Sequence, residues 1–401
     1  MRLGMRTLAI LLGTSVGVGV AVLALALQPT RRGPAAWESA PVEGTLVDEA
    51  AGPITRLAFH YTPGGEPIFA EIYRAFLPSL DPAVKLLALV PPSEDGEARA
   101  KLAAFLATLP GGDAPARPVQ VAVASGPISP WSKDRALVTN PDRPGQGRGS
   151  IRMVAPAEPA GAWPQRLADW NAPMDLARAF PTELAVSIVP LDFDAGDFAI
   201  TGGRLLVDAN LVGKNAGRGL DTPAKLKQAL EHLFRLEVVV LGEKPGDVPR
   251  HHLSMYLTPL TDGTVLLGDP REGRQIVGAG WVPGEASPDS GEPLRPDFSP
   301  ETLARFDRAG KALEAAGFKV VRVPTVPFDD KTYLAYTNGV FETRAGKKIA
   351  WIPTFGLPEL DARARAVYQG LGWEVRPVPS RAAFPFHGTL GCLVNVLERS
   401  R

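Results

Sequence analysis

The sequence predicts an α/β fold in which five strand-strand-helix-strand modules close into a ring. Three observations carry this. The segments Gly317-Phe-Lys-Val-Val-Arg-Val-Pro324 and Gly372-Trp-Glu-Val-Arg-Pro-Val-Pro379 repeat one another, each a helix-ending glycine followed by a half-buried strand. Each is preceded by a helix and, before that, by a hairpin. The last strand, over 389–397, has no helix after it, so it needs N-terminal elements to complete a module. An open doubly wound sheet is the rival, but the strand-strand-helix-strand order argues against simple βαβ alternation.

In chain order, a strand over 55–61, a helix over 68–76 and a strand over 85–90 belong to the closing module. A helix over 98–109 and a strand over 118–124 form a lead-in whose pairing the pattern leaves open. The next module has a hairpin over 136–154, a helical stretch over 163–179 and a strand over 184–189. The third turns at Gly202-Gly203 within 198–208, continues in a helix from Pro223 with Leu226, Leu230, Leu233 and Phe234 inward, and ends in a strand over 237–241. In the fourth, a hairpin over 256–269 turns at Asp262-Gly263. Its helix has Ser299 as N-cap, Pro300 in the first turn, and Leu303, Phe306 and Leu313 on one face. The fifth has a hairpin over 340–353 around Ala345-Gly346, then a helix from Pro358 carrying Leu360, Ala364, Val367 and Leu371.

Lys plus Arg and Asp plus Glu both number 43, and no basic block runs along the chain, which argues against a nucleic-acid partner. With 45% hydrophobic and 21% charged residues there is ample core-forming material, and 54–401 reads as a single catalytic domain. Ahead of it, Thr7 to Leu27 carries no charged side chain, and Ala24-Leu-Ala26 offers a cleavage pattern. Residues 1–27 therefore read as a signal peptide or a retained signal anchor, engaging membrane or export machinery. The expected location is periplasmic or extracellular. Residues 28–53, rich in Pro, Gly and Ala, read as a linker.

Between the last strand of each module and the next hairpin lie five equivalent junctions, which a ring brings together at its axis. They read Pro130-Trp-Ser-Lys-Asp134, Leu191-Asp-Phe-Asp194-Ala-Gly-Asp197, Arg250-His-His252-Leu-Ser254, Ala335-Tyr-Thr-Asn338 and His387-Gly-Thr-Leu-Gly-Cys392. Carboxylates, an imidazole and the chain's one thiol are the parts of a nucleophile with a proton shuttle and a cation site. A single cysteine forms no intrachain disulfide, so Cys392 is either a small buried hydrophobe or a reactive group. Either His251 or His252 can serve as the imidazole; His252 is preferred because strand alternation then puts Leu253, Met255 and Leu257 on the opposite face. Asp134 beside Arg135 also reads as a local ion pair, and Asp194 and Asp197 around a glycine as turn formers.

In motif order these junctions resemble the guanidino-group-modifying family, the pentein-fold deiminases and amidinotransferases. Trp131-Ser-Lys-Asp134 is similar to the family's Trp-x-Arg-Asp turn, Asp194-Ala-Gly-Asp197 to Glu-Gly-Gly-Asn/Asp, and His252-Leu-Ser254-Met-Tyr-Leu-Thr-Pro to His-x-Asp-Met-Tyr-Leu-Thr-Pro. Tyr336-Thr-Asn338 resembles Tyr-x-Asn, and His387-Gly-Thr-Leu-Gly-Cys392 resembles His-Gly-x-x-His-Cys. Three positions depart: Ser254 stands at the second guanidinium-binding aspartate, Asp194 replaces a glutamate, and Gly391 replaces a histidine.

The resemblance implies a five-bladed pseudo-symmetric α/β propeller acting on a guanidino or amidino group by C–N hydrolysis. Cys392 is then the nucleophile, His252 the acid and base, Asp134 a guanidinium clamp and Asp194 its partner or an orienter of His252. Trp131, Ser254, Asn338 and Asp197 fall at substrate-binding positions. No cofactor or metal is required, and no metal-binding His/Cys spacing occurs. The partner is a small guanidino compound or an arginine side chain. An amidinotransferase, or a catalytically weak binder of guanidinium ligands, remains as the alternative.

Overall fold

The computed structural model describes residues 39–110, 118–141, 151–157 and 164–400, whose strands form five sheets. Four follow one plan, in which an antiparallel hairpin is followed by a helix that returns the chain parallel to the hairpin's second strand. Blade 2 has Leu137–Asn140, Ile151–Pro156 and Leu184–Val189; blade 3 has Ala199–Thr201, Arg204–Asp208 and Glu237–Leu241. Blade 4 has Leu257–Pro259, Thr264–Asp269 and Lys319–Pro327; blade 5 has Val340–Arg344, Lys347–Thr354 and Trp373–Pro379. Two hairpins turn on two residues each, Gly202-Gly203 and Ala345-Gly346, all four in the left-handed region that two-residue turns require.

Blade 1 is made from both ends of the chain, as the unpaired last strand predicts. The C-terminal strand Val394–Arg399 runs antiparallel to Ile54–His60, with Val394 opposite Phe59, and Ile54–His60 runs parallel to Lys85–Val90. The helix Glu66–Phe76 crosses between them and buries Phe69, Ile72, Tyr73 and Phe76. Phe76 meets Trp351 of blade 5 edge-on at 5.5 Å between centroids, and the Trp351 indole donates to Ser79 Oγ at 2.7 Å. The seam between first and last blades is thus both packed and hydrogen-bonded.

Three elements differ from the pattern read in the sequence. The lead-in strand, Val119–Val123, is the fourth strand of blade 1, parallel to Lys85–Val90. The C-terminal strand starts only at Val394, because Leu390–Leu393 forms one helical turn and Cys392 lies on it. That turn finds its backbone partners in neighbouring junctions: Gly391 N donates to Asn338 O at 3.0 Å, and Lys133 N to Cys392 O at 3.2 Å.

The third difference is in the stretch read as a linker. Its residues 39–53 lie against the ring, with Val42, Leu46 and Ala50 buried and Thr45–Leu46 paired to Leu137–Asn140. Apolar side chains spaced four apart outweigh the Pro/Gly/Ala composition here. Residues 1–38, including the apolar run, fall outside the described residues. No helix of the described residues is long and apolar enough to cross a membrane.

Arg399 ties these parts together, donating to Gly52 O at 2.9 Å, Glu49 O at 2.7 Å and Phe341 O at 2.7 Å. Replacing it strands three carbonyls at the join of blade 1, blade 5 and the 39–53 segment. Arg399→Met is expected to lower unfolding stability by about 3 kcal/mol, since each charge-assisted hydrogen bond contributes roughly 1.5–3 kcal/mol before compensation by water. Urea denaturation of the two proteins measures it, and coincident midpoints would show that the contacts carry no stability.

Candidate active site

Each junction leaves a blade edge and turns toward the ring axis, where the polar residues named from sequence meet. Cys392, His252 and Asp134 are 3%, 5% and 3% exposed, and all three border one cavity of about 910 Å³ that Trp131 also lines. The thiol is therefore buried yet reached through that cavity.

His252 is the hub. Its Nδ1 lies 3.8 Å from Asp134 Oδ1 and its Nε2 3.7 Å from Asp194 Oδ2, and Cys392 borders the same cavity. Burial pushes the imidazole down, but the Asp134 carboxylate and the contacts with Asp194 outweigh it and hold His252 well above the usual histidine range. The expectation placed His252 in a strand. It instead precedes the 3-10 turn Leu253–Met255, whose Leu253 and Met255 are fully buried. The strand alternation that favoured His252 is absent here, and both His251 and His252 line the cavity.

The second junction supports the hub from behind. Ala195–Asp197 is a 3-10 turn closed by a capping box, in which Asp194 N donates to Asp197 Oδ2 at 2.9 Å. A Cβ on Gly196 would lie 2.5 Å from His252 Cγ and Nδ1, so only glycine lets this turn approach the ring. Asp194 also accepts from Arg135 Nη1 at 2.9 Å and Lys214 Nζ at 3.2 Å, while Asp197 holds Lys214 at 2.6 Å. Arg135 thus pairs with Asp194 rather than with its neighbour. Burial raises the Asp194 carboxyl, and Lys214, His252 and Arg135 together overcome it and hold it well below the usual range.

On the other side of the thiol stands Asn338, fully buried. Its Nδ2 donates to Cys392 Sγ at 3.3 Å and to Ser254 Oγ at 2.8 Å, and its Oδ1 accepts from Thr389 Oγ1 at 2.7 Å. Trp131, Asp134, His252 and Cys392 thus face the cavity, whereas Asp194, Asp197, Asn338 and Ser254 stand behind that wall in contact with it. A Cβ on Gly391 would come 3.1 Å from Gly339 O, a tight fit against the same junction.

Two further histidines flank the hub. His251 stacks on His252 at 4.1 Å between centroids and donates through Nε2 to His387 O at 2.9 Å. Burial and the neighbouring His252 push His251 well below the usual range. Both His251 and His387 adopt left-handed backbone, at φ 74° and 68°, an uncommon state for non-glycine residues. Lys214, Asp289 and Lys331 were not marked by the junction pattern. They come from outside the five junctions, and no motif spacing identifies them.

No family model and no curated protein matches this sequence. Solved structures do match. The agmatine deiminase of C. jejuni superposes with a TM-score of 0.60 at 15% identity, covering 89% of this chain and 96% of that one. A variant of the same enzyme with substrate bound gives 0.61 at 16% identity, over 89% and 97%. The agmatine deiminase of Enterococcus faecalis gives 0.56 at 13% identity, over 89% and 98%. The chain has the pentein fold. In this pentein ring the similarity extends across 89% of the chain.

A raised His252 makes stability depend on pH with a defined sign. Relative to His252→Asn, the wild type holds an advantage that is full below the unfolded histidine value of about 6.5 and is lost as pH rises through the raised folded value. Both proteins keep His387, whereas His251, whose own shift is partly set by His252, changes with it and belongs to the same pH-dependent gap. Urea midpoints at pH 6 and pH 9 are expected to draw together; a gap that stays constant or widens would mean that His252 is neutral in the folded protein.

Proposed function

We propose that this cavity is the active site of a thiol-dependent hydrolase that converts a guanidino or amidino group into a ureido product, releasing ammonia or an amine. The observation that carries the reading is the convergence of Cys392, His252 and Asp134 on the floor of one cavity. A guanidinium is planar and permanently cationic, and its forked N–H groups match a carboxylate, the role we give Asp134. Trp131 offers a ring face beside it.

The chemistry follows from the hub. Cys392, as the thiolate beside a cationic His252 and the Asn338 amide, attacks the central guanidinium carbon and forms a C–S bond. His252 passes its proton to the departing nitrogen as the C–N bond breaks, leaving an S-amidino intermediate. Water then enters, gives a proton to His252, and displaces the thiolate as the C–S bond breaks. Asp194, held ionised by Arg135 and Lys214, fixes the imidazole throughout. An amine entering in place of water would make the same site an amidinotransferase. The charge-free run from Thr7 to Leu27 supports export to the periplasm or the extracellular side.

One observation favours a binding protein instead. Ser254 replaces a carboxylate, and Asp194 is already engaged by three cationic groups, which weakens the hold on a guanidinium. The two readings separate by turnover. With a panel of guanidino compounds, wild type is expected to yield ureido product, Cys392→Ala none, and His252→Asn at least about 100-fold less. Saturable binding with no product from any compound would establish the binder.

Ser254 itself does not line the cavity, so Ser254→Asp acts on the guanidinium only by extending a carboxylate past Asn338 into it. It is expected to strengthen binding of unsubstituted guanidines about ten- to a hundredfold, the worth of one charge-assisted hydrogen bond. Product formation from arginine, agmatine and N-methylated analogues measures the shift. No change in preference in a folded variant would show that position 254 does not address the guanidinium.

A further inference from the structure

Above its floor the cavity changes character. Exposure rises from the nearly buried Cys392, His252 and Asp134 to Phe386 at 39% and the Lys331 side chain at 52%, so the first three mark the floor and the last two the mouth. Between them the wall carries the apolar side chains of Pro63, Ile68, Pro91, Pro127 and Ile128, with Thr62 and Ser129 among them. All five apolar residues follow strands of blade 1: Ile54–His60, Lys85–Val90 and Val119–Val123.

Two charged residues line this upper part, and they are committed to each other. Lys331 Nζ lies 3.5 Å from Asp289 Oδ2, and that same oxygen lies 3.2 Å from His387 Nε2. Neither offers an uncompensated charge to a ligand passing between the apolar walls. A charged group seated there would lose water without gaining a partner, which is costly. At about 910 Å³ the cavity also exceeds what a guanidinium head fills and falls in the range that encloses drug-sized ligands.

We infer that the substrate is a guanidine carried on an apolar alkyl or aryl tail, seated against Ile68, Ile128 and Phe386, rather than one ending in an amine or an amino-acid head group. This rests on the hydrolase reading above. With hexylguanidine the reaction is hexylguanidinium plus water giving hexylurea plus ammonium: Cys392 forms the C–S bond, an amino group leaves with the proton from His252, and water supplies the ureido oxygen.

The test measures kcat/KM of the full-length protein for butylguanidine, hexylguanidine, benzylguanidine, agmatine, arginine and an arginine tripeptide capped at both ends. Hexylguanidine is expected to exceed agmatine at least tenfold, and each added methylene to contribute about three- to fourfold. Equal or better turnover of agmatine, arginine or the tripeptide overturns the inference while leaving the hydrolase standing. Ile68→Asp is expected to lower the hexylguanidine-to-agmatine ratio at least tenfold; Phe386→Asp, at a more exposed position, reads the same wall if the first variant does not fold. An unchanged ratio in either folded variant removes that wall as the tail's seat. Should no compound give ureido product, the hydrolase reading fails, and the tail is read by protection of Cys392 from alkylation by chloroacetamidine. Hexylguanidine is expected to protect at concentrations at least tenfold lower than agmatine, and equal or absent protection overturns the inference as well.

Discussion

Closure of the ring through blade 1 is the constraint on which the rest depends. Cys392 sits two residues before the C-terminal strand, so the register of Val394 against Phe59 fixes where the thiol stands relative to the other junctions. Tyr73, on the helix that follows the N-terminal strand, donates its hydroxyl to both His60 O and Leu393 O at 3.0 Å. One buried phenol thus ties the first strand to the residue after Cys392. A slip of one residue would turn every side chain of the last strand to the opposite face, and the turn bearing Cys392 would lose its bonds to Asn338 and Lys133.

Within that frame the site is held together by charge in a dry place. Asp194 is a half-buried carboxylate surrounded by Arg135, Lys214 and His252, and an ion drawn this far from water persists because its partners are fixed around it. The same network reaches outward. Burial pushes Asp208 up to about 7, against the bond from Tyr256 Oη at 2.8 Å and with the added repulsion of Asp197. Asp194 is held low because cations touch it, and Asp208, farther out, titrates near neutrality because burial dominates. Geometry rather than residue type sorts acids into these two roles.

The repeat was legible because each blade must end a helix and start a strand at the same point, and only a few residues do that well. Gly317 and Gly372 mark it, and the observed strands Lys319–Pro327 and Trp373–Pro379 begin one or two residues later. Ring closure was legible from a strand that lacked its helix. What composition hid was the 39–53 segment, since its three buried anchors, Val42, Leu46 and Ala50, are scattered among Pro, Gly and Ala and only two of its residues pair as a strand. The helical turn at Cys392 was hidden for a related reason: its backbone partners lie in other junctions, hundreds of residues away in some cases, and local pattern carries no record of them. Lys214 escaped likewise, since its partners Asp194 and Asp197 are set by how a helix after Arg204–Asp208 folds back over the second junction.

The head and the tail of the proposed ligand are linked by this charge arrangement. Around the hub, Asp134, Asp194 and Asp197 carry three negative charges and Arg135, Lys214 and a cationic His252 three positive ones, so the described groups balance before the thiolate is counted. Ser254 adds no charge to this set. On the proposed reading, affinity for a guanidinium rests on Asp134 and the Cys392 sulfur at the floor, and the remaining free energy comes from elsewhere in the cavity. Apolar walls supply it without regard to charge, in proportion to the area they cover. The proposed head and tail sites then divide the work: the less the floor discriminates by charge, the more the walls decide which ligand is held.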